Sequence, residues 1–315
     1  HLPMKTCLVT GGAGFIGCAI SSGLVQNFDR VIAVDNLHPQ VHAGQKRPAA
    51  LHPQVEFVHA DVTLAQTWDE LLPGISVDTV IHLAAETGTG QSLTEGTRHA
   101  MVNVVGTSQM LDALKRHERM PKRVVLTSSR AVYGEGAWHD QENGSISYPG
   151  QRTLTQLQSG TWDFPGKKAL PFQATRTQPQ PTSIYGATKL TQELMLSAWA
   201  QSFNVEVGLL RLQNVYGPGQ SLSNPYTGIV SLFSQLAKQG KTIPLYEDGH
   251  IIRDFVFIED VAAAVVRIAT IEQVPSPIAY DIGSGTPTSI RQLAELIGRI
   301  YAAPEPVVNG AFRNG

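Results

Sequence analysis

Tyr185 and Lys189 are spaced four residues apart, and a tyrosine and lysine so placed could carry out acid–base chemistry. The spacing puts both side chains on one face of a helix. A tyrosine ordinarily titrates near about pH 10, and a neighbouring ammonium group favours its phenolate form. We therefore expect Tyr185 to act as a general base near neutral pH. The alternative is a tyrosine at a helix start beside a solvated lysine.

Two serines, Ser128 and Ser129, lie at the end of a strand predicted to begin at residue 123. We expect Ser129 to share the proton of a substrate hydroxyl with Tyr185. Ser128 competes for this role, and either hydroxyl could instead cap the end of a strand. Asn103 lies in a long predicted helix over 97–118 and is expected to hold backbone geometry near this centre, although a hydrogen bond inside the helix would also explain it.

A glycine-rich segment over residues 10–17 has the order Thr-Gly-Gly-Ala-Gly-Phe-Ile-Gly. It follows an apolar run over 7–9 and precedes a predicted helix. About twenty residues further on, a second apolar run ends at Asp35. This order of strand, glycine loop, helix, strand and acid is typical of a dinucleotide-binding unit.

Each part of this unit has a physical role. Gly11 allows the tight turn, Gly14 lets the backbone approach the pyrophosphate, and Gly17 lets the helix pack closely. Asp35 would accept hydrogen bonds from the adenosine ribose and would repel a 2′-phosphate, which predicts NAD rather than NADP. The positive charge of the oxidised nicotinamide would then add to that of Lys189 in favouring the phenolate.

Strand-like and helix-like patterns alternate through the first two-thirds of the chain. The expected strands are 6–10, 30–35, 55–59, 79–83, 123–128 and 206–212, and the expected helices are 15–27, 64–71, 97–118 and 186–203. The alternation predicts an α/β fold: a Rossmann-type, doubly wound parallel sheet that binds ligands at the carboxyl ends of its strands. The residues expected to bind NAD are Gly11, Gly14, Phe15, Ile16, Gly17, Asp35, Asn36, Asp61, Val62, Leu83, Ala84, Ala85, Asn103, Ser128, Tyr185 and Lys189.

The pattern loosens after residue 212, which predicts a smaller C-terminal lobe. The elements expected there are a helix over 226–239, a strand over 242–246, a strand over 255–258 and helix over 259–271 that return to the main sheet, and a strand over 280–285 and helix over 288–301 in the second lobe. The expected domains are an NAD-binding domain over 4–212 plus about 255–275, and a substrate-binding lobe over 213–254 plus 276–315.

Residues 135–182 lack periodicity and are rich in Gln, Thr, Pro and Gly. A segment of this length inside a compact domain is usually functional or disordered. It leaves the predicted sheet just after Ser129 and returns just before Tyr185, so we expect it to shape the substrate site. The alternative is a surface excursion packed on the second lobe or on a neighbouring subunit. Its aromatic residues, too many for a plain linker, are Trp138, Trp162, Phe164 and Phe172.

Bulk properties exclude several classes of partner. The chain has 315 residues and a formal net charge of −2, without a prominent basic cluster, so nucleic acid and anionic membranes are not expected partners. No apolar stretch is long enough to span a bilayer. The ten histidines lack metal-ligand spacing, and no metal is expected. The two cysteines, Cys7 and Cys18, fit small buried residues in a reducing cytosol, which predicts a cytoplasmic protein.

Taken together, the motifs resemble the extended short-chain dehydrogenase/reductase family, in its nucleotide-sugar epimerase and dehydratase group. The motifs that carry the resemblance are residues 10–17, 35–37, 61–62, 82–85, 128–129, 185–189, 211–217 and 253–254. The resemblance implies NAD(P) in the large lobe and a nucleoside-diphosphate sugar in the small one. It implies that Asn214 meets the substrate phosphates or sugar, that Arg253 pairs with the diphosphate, and that Asn224 contacts the substrate. It also implies a homodimer through the helices near 97–118 and 186–203. The apolar surface expected for that contact is Val102, Val105 and Met110 against Leu190, Leu194 and Trp199.

Within the group, sugar 4,6-dehydratases carry an Asp-Glu pair directly after the active-site hydroxyl residue. Here those positions hold Arg130 and Ala131, so dehydration is disfavoured. The sequence is more similar to the 4-epimerases, bacterial dTDP-L-rhamnose 4-epimerases among them, which implies an NAD-dependent 4-epimerase of a dTDP- or UDP-hexose. The alternatives are a 4-keto-sugar reductase and a dinucleotide-binding protein without turnover. Family members usually continue past the position of Gly315, so part of the small lobe is expected beyond it.

Overall fold

The computed structural model describes residues 4–37, 46–85, 93–220 and 228–312. Its strands are β1 (Thr6–Thr10), β2 (Arg30–Asp35), β3 (Glu56–His59), β4 (Thr79–His82), β5 (Arg123–Ser129), β6 (Trp138–Asp140), β7 (Ile146–Ser147), β8 (Lys167–Ala169), β9 (Glu206–Leu212), β10 (Asn214–Tyr216), β11 (Pro244–Leu245), β12 (Ile252–Phe257), β13 (Ile278–Ile282), β14 (Pro287–Ser289) and β15 (Val307–Val308).

The helices alternate with these strands. They are α1 (Phe15–Asn27), α2 (Ala65–Leu71), α3 (the continuous run Gly96–Ala100, Met101–Val105 and Gly106–Arg116), α4 (Leu154–Gln158), α5 (Ile184–Phe203), α6 (Ile229–Lys238), α7 (Ile258–Thr270) and α8 (Ile290–Ile300). The middle part of α3 is a π-helical turn, and short 3₁₀ helices lie at Leu72–Gly74 and Arg130–Tyr133. None of the described helices is long and apolar enough to cross a membrane.

Seven parallel strands form the central sheet in the order β13-β9-β5-β4-β1-β2-β3. The strand order reverses at β1 and β4, so the loops after these two strands lie side by side at the carboxyl edge. The strands are continuous apolar runs because both faces of the sheet are covered. Helices α2, α3 and α5 enclose one hydrophobic core, and α1 and α7 enclose the other. The doubly wound α/β fold expected from the sequence is confirmed.

Two strands lie in different sheets from those expected. The strand expected at 280–285 is β13, and it pairs with β9 as the seventh strand of the central sheet rather than belonging to the second lobe. As an edge strand it is only half-buried, with exposed Asp281 in its middle, so its sequence lacks a strong apolar run. The strand expected at 255–258 is β12, which pairs with β10 and β14 in a separate three-stranded sheet. Only the helix that follows, α7, returns to the main sheet, where it packs on α1.

Residues 135–182, here called the insert, have regular structure that the sequence did not predict. β6 pairs with β7 and β8 in an antiparallel sheet. Trp138 packs edge-on against Phe164 at 4.9 Å, and Phe172 stacks on Tyr133 at 4.8 Å between ring centroids. These aromatic contacts fold the insert onto the turn that directly follows Ser129. A third hydrophobic core, between α6 and α8, underlies the small lobe.

Candidate active site

The loop between β1 and α1 has no room for side chains at two of its glycines. Gly11 has a φ of +63°, and a Cβ there would lie 2.8 Å from the backbone nitrogen of Ala84. A Cβ on Gly17 would lie 2.3 Å from the carbonyl oxygen of Gly12, so the helix is pressed onto the loop. Gly14 is the N-cap of α1 and offers no side-chain acceptor. No described side chain therefore caps the first N–H groups of α1, those of Phe15, Ile16 and Gly17, as an anion-binding helix N-terminus requires.

Asp35 ends β2 beside this loop and is only 8% exposed. One carboxylate oxygen accepts the backbone N–H of Ala13 at 3.1 Å, and the other accepts that of Leu37 at 2.8 Å. The carboxylate is thus fixed at the place that the sequence assigns to a ribose. The neighbouring Asn36 is exposed. Together, the cradle without room for a Cβ, the open helix N-terminus and the fixed carboxylate fit a dinucleotide.

The loops after β3 and β4 border the same edge. Asp61 accepts hydrogen bonds from the backbone and hydroxyl of Thr63, at 2.8 and 2.7 Å, and Val62 is buried against α3. After β4, the N–H groups of Leu83 and Ala84 both donate to the Thr10 hydroxyl at 3.1 Å, and Ala85 follows them. These contacts hold the two loops against the glycine segment.

His82, at the end of β4, holds this arrangement in place through two side-chain hydrogen bonds. It is buried, and burial lowers its pKa to about 3, so the ring is neutral. The Thr10 hydroxyl already accepts two N–H groups, so it donates its own hydrogen to His82 Nδ1 at 2.6 Å. His82 Nε2 then donates to the Thr107 hydroxyl of α3 at 2.9 Å. The histidine therefore connects the glycine loop to α3.

Tyr185 and Lys189 lie in the first two turns of α5, where Ser183 caps the helix by accepting the N–H of Gly186 at 2.9 Å. The phenol of Tyr185 is hydrogen-bonded to the side chain of Ser129. The hydroxyl of Ser128 instead donates to Glu193 Oε2 at 2.6 Å. Of the two candidate serines, the structure thus brings Ser129 to the tyrosine.

The electrostatics of this centre differ from the simple expectation. Burial raises the pKa of Tyr185, while the Ser129 hydrogen bond and the positive charge of Arg130 oppose that rise. Burial also lowers the pKa of Lys189 to about 7, with the carboxylate of Glu193 opposing it. Sequence reasoning assigned the favourable cation to Lys189 and considered Arg130 only as the replacement of a dehydratase acid.

Asn103 lies in the π-helical turn of α3 and is completely buried. Its side-chain amide donates to the Thr188 hydroxyl at 3.0 Å, and Thr188 donates to the carbonyl oxygen of Tyr185 at 2.8 Å. Asn103 therefore acts on the backbone of the helix that carries Tyr185, rather than only within its own helix.

A buried polar chain behind the serines was missed by sequence reasoning. Arg211 of β9 donates to both carboxylate oxygens of Glu193, at 2.8 and 3.1 Å, and to the Tyr133 hydroxyl at 3.0 Å. Tyr133 in turn donates to Asp281 of β13 at 2.5 Å, and the second oxygen of Asp281 accepts the N–H of Ala174 in the insert at 2.7 Å. A signal was present in the sequence, because an arginine within the apolar run of β9 needs a buried partner.

Charged side chains gather around Arg130, the first residue after Ser129. Arg130 Nε donates to Asn214 Oδ1 at 3.0 Å. Burial lowers the pKa of Arg130 to about 9, helped by the nearby charge of Arg253. Burial likewise lowers the pKa of Arg253, which Glu135 and Glu247 oppose. Asn214 and Arg253, predicted substrate residues, are thus grouped around Arg130. Asn224 lies outside the described residues.

The insert contributes to this group through Arg152. Its guanidinium is ion-paired with Glu247 of the small lobe and lies 3.9 Å from a carboxylate oxygen of Glu135. The side chain of Glu247 is only 2% exposed, and its backbone adopts the left-handed conformation with a φ of +56°. Among the described residues, Arg152 Nε and Glu247 Oε2 have no hydrogen-bond partner although both are buried. Sequence reasoning found neither residue, because nothing in the local pattern links them.

The profile of the NAD dependent epimerase/dehydratase family matches residues 7–283 of this chain. Over 312 residues the chain is 58% identical to the dTDP-L-rhamnose 4-epimerase of Burkholderia thailandensis, in a match that covers 99% of this chain and 85% of that protein. Among solved structures, the UDP-glucose 4-epimerase of Thermotoga maritima with UDP-glucose superposes with a TM-score of 0.79 at 26% identity, covering 98% of this chain and 86% of that one.

The UDP-glucose 4-epimerase of Thermus thermophilus in complex with NAD superposes with a TM-score of 0.72 at 26% identity, covering 97% of this chain and 86% of that one. The family match, the high identity to one relative and the fitted glycine loop all agree. This chain belongs to the NAD dependent epimerase/dehydratase family.

Proposed function

We propose that this protein is an NAD-dependent 4-epimerase of a nucleoside-diphosphate 6-deoxyhexose, with dTDP-L-rhamnose as its first candidate substrate. The observation that carries the proposal is the hydrogen-bonded pair of Tyr185 and Ser129, followed in sequence by Arg130 and Ala131. The pair can move a proton at a sugar hydroxyl. The next two positions lack the acid pair that a dehydratase needs to expel a 6-hydroxyl. The 58% identity to the Burkholderia thailandensis enzyme supports the substrate.

In this proposal, Tyr185 takes the proton of the sugar 4-hydroxyl while Ser129 holds the same oxygen by a hydrogen bond. NAD, held by the glycine loop and Asp35, would supply reversible hydride transfer at C4, which inversion at that carbon requires. Tyr185 then gives the proton back to the 4-oxygen, so net redox change is zero. Asn103 and Thr188 keep the first turn of α5 in place, and Lys189 lies one turn below the phenol on the same helix.

The residues proposed to hold NAD are the ones predicted from the sequence. The loop and helix N-terminus from Gly11 to Gly17 would receive the pyrophosphate, and Asp35 the adenosine ribose. The small-lobe side, with Asn214, Asn224 and Arg253, would hold the nucleoside-diphosphate sugar, with a guanidinium suited to the phosphates. The domain division at residue 212 is part of the same proposal, with both α7 and β13 assigned to the large lobe.

We also propose that the insert walls the sugar site and that the protein is a cytoplasmic homodimer. The Arg152–Glu247 pair, which joins the insert to the small lobe beside Glu135 and Arg253, supports the first point. The dimer would form through α3 and α5, where Leu194 is 63% exposed. Met110, expected on that surface, is completely buried in the core and cannot contribute. The free cysteines, Cys7 and Cys18, support a reducing compartment.

The test of the proposed function is NMR of the products formed from dTDP-L-rhamnose by the purified protein, without added cofactor. We expect conversion to the 4-epimer, with no net oxidation, and NAD in the denatured supernatant. UDP-glucose serves as the comparison substrate. Turnover only of a 4-keto sugar with added NADPH or NADH would instead make the protein a reductase. No turnover of any dTDP- or UDP-sugar, in protein that holds NAD, would favour a binding protein.

A further inference from the structure

Arg130 occupies an unusual place among the charged groups of the site. It is the first residue of the 3₁₀ turn after Ser129, and Ser129 is hydrogen-bonded to Tyr185. That turn is pressed onto the start of α5, because a Cβ on Gly186 would lie 2.4 Å from the carbonyl oxygen of Ala131. The backbone of Arg130 is therefore fixed beside the first turn of the helix that carries Tyr185.

The side chain of Arg130 is also fixed, through Nε and Asn214 Oδ1 at 3.0 Å. Among the residues that the structure describes, no carboxylate lies within ion-pair distance of its guanidinium, and its terminal nitrogens have no protein acceptor. A half-buried cation without a neutralising carboxylate acts strongly on negative charge that forms nearby.

We propose that Arg130 is the second cation of the catalytic centre: held by Asn214 next to the Ser129–Tyr185 pair, its guanidinium stabilises the phenolate of Tyr185. The inference rests on the proposed function, in which this phenolate removes the proton of the sugar 4-hydroxyl. As the sugar O–H bond breaks, the Tyr185 O–H bond forms, and the positive charge of Arg130 remains. Arg130 acts on the reaction through the charge of Tyr185, so it is a positioning residue and not a catalytic one.

The charge state of Arg130 suits this role. Burial and Arg253 lower its pKa only to about 9, so it is cationic at neutral pH. Its charge is one of two influences that lower the pKa of Tyr185. Among the described residues, the other titratable or charged groups around Tyr185 are Lys189 on its own helix, His99 of α3, whose ring centroid lies 6.3 Å from that of the phenol ring, and Glu135 and Arg253 beyond Arg130.

The experiment is a titration of the Tyr185 phenolate by its absorbance near 295 nm in the NAD-loaded enzyme, taken as the difference between each protein and the same protein with Tyr185→Phe. In Arg130→Gln we expect the Tyr185 titration to move upward by about one pH unit or more, since an adjacent opposite charge shifts a pKa by about 1–3 units. Arg130→Lys should restore most of the shift. Arg176→Gln, at an exposed position of the insert, is the control and should change nothing.

The pH profile of kcat on the nucleotide sugar provides the second readout. Its acid limb should move upward by the same amount in Arg130→Gln, so that kcat below the limb falls about tenfold per unit. If Arg130→Gln does not fold, Asn214→Ala, which releases the guanidinium, should give a smaller upward shift. An unchanged Tyr185 titration in the folded variants overturns the inference. Because the titration needs no turnover, a protein that shows the shift but epimerises no sugar would overturn the proposed function alone.

Discussion

The proposed cofactor side and the proposed sugar side of this molecule are built from different kinds of groups. The cofactor side consists mainly of glycines and backbone N–H groups. Two backbone N–H groups, those of Ala13 and Leu37, hold the carboxylate of Asp35 in place. On the sugar side, long charged side chains from the turn after β5, the insert and the small lobe meet one another. Under the proposed function, we expect the first region to bind the cofactor and the second to determine which sugar is accepted.

Tyr185 lies where the two regions meet, and its removal should have the largest effect. Tyr185→Phe deletes the proton-transfer group but keeps the ring, so kcat should fall about 10²- to 10⁴-fold. Nucleotide-sugar affinity, measured by calorimetry, and NAD content should stay near wild type. Tyr301→Phe, at an exposed position, is the matched control. A Tyr185→Phe enzyme that keeps a tenth of the wild-type rate would exclude Tyr185 as the base.

The second prediction concerns the ion pair of Arg152 and Glu247, which lies only on the proposed sugar side. The double variant Arg152→Met with Glu247→Met removes both charges of a buried pair, so it should fold and keep NAD, whereas each single variant leaves one buried charge without its partner and should unfold at lower temperature. If the pair contacts the sugar, KM of the double variant should rise about tenfold, as for the loss of a charged hydrogen bond.

Steady-state kinetics with dTDP-L-rhamnose and UDP-glucose provide the measurement, with the thermal midpoint and NAD content as controls. An unchanged kcat/KM and unchanged selectivity in the folded double variant would mean that the pair only anchors the insert. In that case the insert would be a surface excursion packed on the small lobe.

The contrast between the two sides also explains which parts of the site could be predicted from the sequence. The glycine loop, its helix and Asp35 fall within residues 10–35, so the sequence shows them as one local pattern. The central strands could be predicted because they are continuous apolar runs. Arg130 and Asn214 are 84 residues apart, and Arg152 and Glu247 are 95 apart. Pairs of that separation become visible only when the fold brings their elements together.

Ser128 and Ser129 show the same limit at close range. Both serines bond to side chains of the same helix, Ser129 to Tyr185 and Ser128 to Glu193 about two turns further along α5, and the sequence alone does not say which serine reaches the tyrosine. The buried chain from Glu193 through Arg211 decides it, because Glu193 takes the hydroxyl of Ser128. Edge position likewise explains why β13 was placed in the wrong sheet, since half-buried edge strands need fewer apolar residues.

On the cofactor side, Asp35→Ala should change which dinucleotide is preferred. The carboxylate is expected to bind the adenosine ribose and repel a 2′-phosphate, so the variant should lose NAD affinity while NADP affinity holds or improves. The ratio of the two dissociation constants, measured by fluorescence titration of the stripped protein, should move by about tenfold. Asp29→Ala, at the other end of β2, is the control. An equal loss for both cofactors would mean that Asp35 supports only the loop, through Ala13 and Leu37.

The smallest expected effect is on stability, and it concerns Lys189. In the unfolded chain this lysine has its ordinary pKa of 10.5, whereas burial lowers the pKa in the folded protein to about 7. Between these values the unfolded state binds more protons, so the contribution of Lys189 to the free energy of unfolding decreases as pH falls from 10.5 to about 7 and is constant below.

The variant Lys189→Met has no titrating group at this position and therefore lacks this pH-dependent loss of stability. Its thermal midpoint should therefore rise relative to wild type by several degrees as pH falls across that interval, since one pH unit changes this contribution by about 1.4 kcal/mol and about 1 kcal/mol corresponds to about 2–4 °C or less in a domain of this size. Lys241→Met, at an exposed position of the small lobe, should show no such trend. Midpoints from differential scanning fluorimetry at pH 7, 8, 9 and 10 would check the sign. A difference between Lys189→Met and wild type that stays constant over this interval would mean that the lysine is charged throughout, paired with Glu193 on the next turn of α5.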